Sequence, residues 1–131
     1  RFALPGFDGW SEDKKELSLS YRASNVEGVR KWLDIQEHAR QRGAPAQPLR
    51  TPNTFAKLEG ITVRTLVMAG DADFYAPPGL MKLVGRHIKN AEWALIPDSG
   101  HSVAWEQPEI FNRNVLRFLK GEHFDKLSTV K

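Results

Sequence analysis

Cysteine is absent from the 131 residues, which excludes a disulfide framework, a thiolate nucleophile and a thiolate metal site. Long apolar runs are absent too. The longest, 65–70, falls far short of the about 20 residues that a membrane-spanning helix needs, so no membrane partner is expected. Nothing at the start joins a basic segment to an apolar stretch in the manner of a secretory signal, and a cytoplasmic location is the expectation. Charge of one sign is not concentrated either. The net charge is +3, but lysines and arginines interleave with aspartates and glutamates, and the densest cationic patch (Arg40, Arg42, Arg50) is short. A nucleic-acid face wants a basic stripe with aromatic or groove-reading residues; no nucleic-acid partner is expected. His38, His87 and His123 stand apart from other ligand-type residues, so they read as surface residues and no metal is called for.

What is there belongs to a folded chain. Hydrophobic residues make up 40% and charged residues 27%, a balance that argues against disorder and, at this length, allows one folding unit or part of one. The first 21 residues show little periodicity and read as a loop with one helical turn near 12–19. Ser24-Asn25-Val26-Glu27 has the form of a capping box with Ser24 at the N-cap. Val26, Val29, Trp32 and Leu33 then follow at helical spacing, predicting a helix over 25–42 stopped by Gly43 and Pro45. Gly28 inside it is a mild cost to helix stability. Thr51-Pro52 predicts a short helix to Leu58, ended by Gly60.

The second half changes rhythm. Residues 63–69 form a short apolar, β-branched run bounded by Gly70, which predicts a buried strand. Pro77-Pro78 opens a helix carrying Leu80, Met81, Leu83, Val84 and Ile88, with Asn90 as its stop. Glu92–Ile96 is a second strand, closed by Pro97. Pro108 opens a last helix with Phe111, Val115, Phe118 and Leu119 on its inner face, ended by Gly121. Helix, strand, helix, strand, helix is an α/β pattern. A strand–helix–strand unit makes the two strands parallel and ends both at one edge of the sheet, the edge where open α/β sheets bind ligands. Asp73 follows the first strand and His101 the second. Neighbouring strands are about 4.8 Å apart, so an Asp–His hydrogen bond is geometrically accessible.

Three motifs stand in order here: Gly70 to Asp73 after a strand, Gly100-His101 after the next, and Glu106-Gln107-Pro108 opening the last helix. The segment 61–118 that carries them resembles the C-terminal end of the α/β-hydrolase family. The resemblance implies an open, mostly parallel sheet with flanking helices, 61–131 as the C-terminal part of the catalytic domain, and 1–60 as a helical cap or lid segment. It implies that His101 is the general base and Asp73 the acid that orients it. Asp71 is the rival acid. Tyr75, Val103, Trp105 and Trp32 are candidates for a substrate pocket, with plain core packing as the alternative; for Trp32 the helical spacing favours the core. Glu106 reads as helix N-terminus electrostatics, and Asp98-Ser99-Gly100 as a turn.

One family feature is missing. The Gly-x-Ser-x-Gly elbow that carries the nucleophile does not occur, since Ser11, Ser18, Ser20, Ser24, Ser99, Ser102 and Ser128 all lack the flanking glycines. The resemblance therefore implies a piece of a larger hydrolase, ordered through the rest of its own polypeptide or by self-association. Its implied substrate is a small, mostly apolar molecule with an ester or carbon–carbon bond, and no cofactor is implied. A dehalogenase or epoxide hydrolase with an Asp nucleophile is the alternative enzyme, and a non-catalytic binding module the alternative outside catalysis.

Overall fold

The computed structural model of the chain describes residues 4–39, 43–45, 48, 50–51 and 53–127. Arg40, Arg42, Pro52 and Ser128 lie outside the described residues, as does the end of the helix expected over 25–42.

The centre is a parallel pair. β1 (Leu66–Gly70) and β2 (Glu92–Ile96) run in register from Leu66 opposite Glu92 to Gly70 opposite Ile96, with α5 (Pro78–Gly85) crossing between them. The first strand starts later than the expected 63–69. Val63 is exposed, and Arg64 turns its guanidinium onto Glu92. The crossover helix opens at Pro78, where the missing N–H leaves nothing unsatisfied. It ends at Gly85 rather than near Asn90, and a Cβ at Gly85 would lie 2.6 Å from Leu127 Cδ1 and 3.2 Å from Val67 Cγ2. Ile88, expected on that helix, sits in the turn beyond it and is buried with Val67, Ala69, Ala91 and Trp93. Asn90 takes a φ of 61°, a left-handed turn its short side chain tolerates, and feeds the chain into β2.

Alternation along the strands sends Val67, Ala69 and Trp93 to one face and Met68 to the other. The first face packs on Met81 of α5 together with Leu58, Ile61 and Leu127. On the second, Met68 shares a groove with Phe111 of α7 (Pro108–Leu119). Helices thus flank both faces, as an α/β architecture requires. Phe111, Val115 and Phe118 of α7 are half-buried, but Leu119 is 73% exposed; a step of about 100° past Phe118 carries it off the inner face. Gly121 ends this helix as expected, in the left-handed conformation, with its N–H bonded to the Phe118 carbonyl and the Glu122 N–H bonded to that of Arg117. That pair of bonds is the Schellman motif.

A third strand, β3 (Asp125–Lys126), adds antiparallel to β2, giving the order β1-β2-β3. Two residues are too few to show a strand period, and side chains from elsewhere hold it in place. Glu92, 2% exposed, accepts from Arg64 Nε at 2.8 Å, from Arg64 Nη2 at 3.1 Å and from the Phe124 N–H at 2.6 Å. Arg64 also donates to the Phe118 and Glu122 carbonyls and lies over the Phe118 ring, 4.0 Å from its centroid.

The N-terminal part keeps the helical turn expected near 12–19 and the helix expected from 25, and adds helix between them where a loop was expected. After a 3-10 turn at Phe7–Gly9 come α1 (Glu12–Glu16), α2 (Leu19–Ser24) and α3 (Val26–Ala39). The first two span five and six residues, too few to display a helical period. The expected capping box does not form, and the cap falls one residue later. Ser24 closes α2, and Asn25 caps α3 by accepting the Gly28 N–H at 2.8 Å. A Cβ at Gly28 would meet only the ends of the Tyr21 and Asn25 side chains, which would have to shift to make room. α4 (Phe55–Glu59) starts after Thr54 rather than at Thr51-Pro52.

Candidate active site

Two loops leave the same edge of the sheet and are zipped together by backbone bonds. The Asp71 N–H donates to the Ile96 carbonyl at 3.0 Å and the Ala72 N–H to the Ser99 carbonyl at 2.9 Å. A side chain at Gly70 would collide with the Ser99 and Gly100 carbonyls. The glycine that bounds β1 is therefore what lets the acid loop and the histidine loop lie this close.

His101 and Asp73, 28 residues apart in sequence, meet here with Nδ1 of the imidazole 2.9 Å from Oδ2 of the carboxylate. A carboxylate can only accept, so Nδ1 carries the proton and Nε2 keeps its lone pair. Asp73 is buried, and its other oxygen, Oδ1, accepts the Tyr75 and Ala76 N–H groups at 2.8 Å each. Asp71, the rival acid, is exposed and is not the partner of His101. The bond from Asp73 is the main reason the His101 pKa lies above its ordinary 6.5; burial opposes this, and the Asp73 and Glu16 charges add to it. The imidazole side chain is 41% accessible, and among the described residues Nε2 has no hydrogen-bond partner.

The pocket candidates divide. Val103 and Trp105 line a groove of about 370 Å³ with His101, Met68, Ser102, Ala104 and Phe111. Tyr75 stands on the other loop, with its ring 5.0 Å from the imidazole and tilted 30° to it, and 5.6 Å from the Phe7 ring. Trp32 is buried on α3 and is not part of this groove; it takes the core position that its helical spacing favoured.

Sequence reasoning missed the residues that hold the histidine loop. Val103–Glu106 forms a short helix, α6, and Glu106 ends it buried, rather than standing at the exposed start of α7. Its Oε1 accepts the Gly100 N–H at 2.8 Å and its Oε2 the Ser18 N–H at 2.8 Å. Burial pushes the Glu106 carboxyl above its ordinary 4.5, against the pull of the Ser18 and Gly100 bonds. The Ser102 N–H donates to the Glu16 carbonyl at 3.1 Å. The only legible signal was a carboxylate at fixed distance after Gly100-His101.

The remaining histidines are more engaged than isolated surface residues. His38 is exposed and sits 3.5 Å from the Asp34 carboxylate. His87 is half-buried, stacked on Phe55 at 3.9 Å and 3.0 Å from Glu59, and His123 lies 3.3 Å from Glu92. No cluster of three or more metal-ligand side chains occurs among the described residues, and no helix among them is long and apolar enough to cross a membrane.

No family model matches the chain. Individual proteins do. A 2-hydroxy-6-oxononadienedioate/2-hydroxy-6-oxononatrienedioate hydrolase of Klebsiella pneumoniae is 31% identical over 83% of this chain and 36% of its own length. The juvenile hormone epoxide hydrolase of Bombyx mori is 29% identical over 99% of this chain and 30% of its own length. Among solved structures, a thermophilic esterase from Thermogutta terrifontis superposes with a TM-score of 0.78 at 27% identity, over 91% of this chain and 45% of that one. The chain spans less than half the length of each of these proteins. With the fold and the paired loops, they make this chain a member of the α/β-hydrolase family, matching a C-terminal portion of it.

Proposed function

We propose that this chain supplies the acid and the base of a nucleophile–His–Asp triad in a hydrolase acting on an ester or carbon–carbon bond of a small, mostly apolar substrate. The Asp73–His101 hydrogen bond carries the reading. With Nδ1–H held by Asp73, the Nε2 lone pair faces outward to take a proton from a nucleophile hydroxyl. The carboxylate then stabilises the imidazolium, and the same proton is returned to the leaving group. The nucleophile and the oxyanion donors belong to another part of the polypeptide. Residues 1–60 act as the lid, and Val103, Trp105 and Phe111 beside His101 give the substrate an apolar wall.

The test is kinetic. In the full-length polypeptide, His101→Ala is expected to lower kcat for a p-nitrophenyl ester by several orders of magnitude, on the scale lost when a triad member is removed. Unchanged turnover would remove His101 from the reaction.

A second reading, an epoxide hydrolase with an aspartate nucleophile, is favoured by the match to the Bombyx mori enzyme along 99% of this chain. It uses the same pair, with His101 activating water against a covalent ester. Assaying one full-length preparation with an aryl epoxide and with the p-nitrophenyl ester separates the two.

A further inference from the structure

We propose that Glu106 is a positioning residue for His101, fastening the histidine loop to the segment between α1 and α2. This rests on the reading of His101 as the base. Gly100 and Ser102 flank His101; Gly100 is tied to that segment and Ser102 to the last residue of α1 beside it. Before His101, one carboxylate bridges the Gly100 N–H and the Ser18 N–H, a residue 88 positions from Glu106. After it, the Ser102 N–H bonds to the Glu16 carbonyl. The approach leaves no room for a side chain, as a Cβ at Gly100 would lie 2.7 Å from the Glu16 carbonyl oxygen and 2.8 Å from Ser18 N. Leu17, Ser18 and Ser99 are at most 1% exposed, so water does not compete for these bonds.

The chemistry of the bridge demands a carboxylate. Two N–H donors converge on the side chain, and a carboxylate offers an acceptor to each, in charge-assisted bonds. A glutamine offers one acceptor and turns its NH₂ toward the other donor, leaving a buried N–H unsatisfied. The Gly100 backbone then shifts, and the imidazole moves with it relative to Asp73.

Glu106→Gln in the full-length polypeptide tests this. Its kcat is expected to fall about 10- to 100-fold with KM within about threefold, the scale of a displacement near 1 Å. In ¹⁵N-histidine NMR the His101 pKa should move down toward 6.5 as the Asp73 bond loosens. A second pair of variants isolates the other arm of the bridge. Ser18 has φ −61° and ψ 155°, angles that proline accepts. Ser18→Pro deletes the N–H, whereas Ser18→Ala keeps it and loses only the hydroxyl, which caps Tyr21 and also meets Ser20 Oγ and the Asp98 carbonyl. Ser18→Pro should lose at least about fivefold more kcat than Ser18→Ala. Wild-type kcat and an unmoved His101 titration in both Glu106→Gln and Ser18→Pro would overturn the proposal, as would a lowered Tm with wild-type kcat. If His101→Ala keeps its activity, the base reading fails, while the His101 titration in Glu106→Gln still decides whether Glu106 places the imidazole.

Discussion

Nδ1 of His101 donates to Oδ2 of Asp73 at 2.9 Å, while Oδ1 of the same carboxylate is occupied by the Tyr75 and Ala76 N–H groups. Both oxygens are thereby fixed, one by its own loop and one by the imidazole. The carboxylate cannot rotate away without losing backbone bonds. The ring's tautomer follows from the acid's position rather than from anything on the histidine itself.

Replacing that acid should therefore hurt activity more than folding. Asp73→Asn keeps an oxygen for the Tyr75 and Ala76 N–H groups but turns an NH₂ toward His101, which then presents Nε2–H instead of a lone pair. A kcat loss on the order of 10⁴-fold is expected for ester hydrolysis by the full-length polypeptide, as for other triads given the wrong tautomer. Loss of less than tenfold would remove Asp73 from the role, and Asp71→Asn is the comparison to run beside it.

The pH dependence follows from the same bond. The Asp73 bond holds His101 above its ordinary 6.5, and a base works only when neutral. kcat/KM should fall as pH drops through the raised folded pKa, so the acid limb should stand above pH 6.5. Stability runs the other way: the contribution of this proton is complete below 6.5 and is lost as pH rises through the folded value. Asp73→Asn should move the limb down. A limb already below 6.5 in the unaltered protein would contradict the geometry.

The readable part of this molecule was the part built from local rules. Residues 66–70 and 92–96 are short apolar runs punctuated by glycine and proline, and the loops that follow them carry Asp73 and His101; strand alternation and parallel pairing were enough to bring those loops together. What could not be read was set by distant partners. β3 exists because Arg64 and Glu92 gather Phe118, Glu122 and Phe124 around them. Glu106 reads in the sequence as helix N-terminus electrostatics, and only Ser18, 88 residues away, turns it into a buried bridge. α2 is shorter than two turns, so no period could announce it.

The Arg64–Glu92 pair gives a stability prediction of its own. The Arg64 guanidinium, ahead of the Phe124 N–H and His123, draws the buried Glu92 carboxyl down from 4.5 to about 2. A depressed carboxylate stabilises the fold above its unfolded pKa and ceases to do so as it protonates. Stability should thus fall between pH 4.5 and about 2. Arg64→Ala removes the main partner of the buried Glu92 carboxylate and should lower stability at pH 7, with a smaller effect at pH 3. Urea unfolding at pH 7 and pH 3 checks both. A flat acid profile, or an Arg64→Ala unfolding midpoint at pH 7 equal to that of the unaltered protein, would show that the pair contributes little.

The edge of the sheet carries the last prediction. Among the described residues β1 pairs with β2 alone, so its other side presents unpaired N–H and C=O groups, a template for any strand that meets it. The apolar surface beside it is incompletely covered. Leu95 on β2 is 45% exposed and Val63, just before β1, 70%, while Leu66 and Met68 are half-buried. A parallel pair is stable when both faces and both edges are covered. We predict that the chain by itself self-associates, and that joining it to the rest of its polypeptide suppresses the association by pairing that edge. Light scattering on the purified chain, at rising concentration and then with the remaining polypeptide supplied, reads both effects. A monodisperse monomer that unfolds cooperatively at micromolar concentration would show that β1 needs no neighbour.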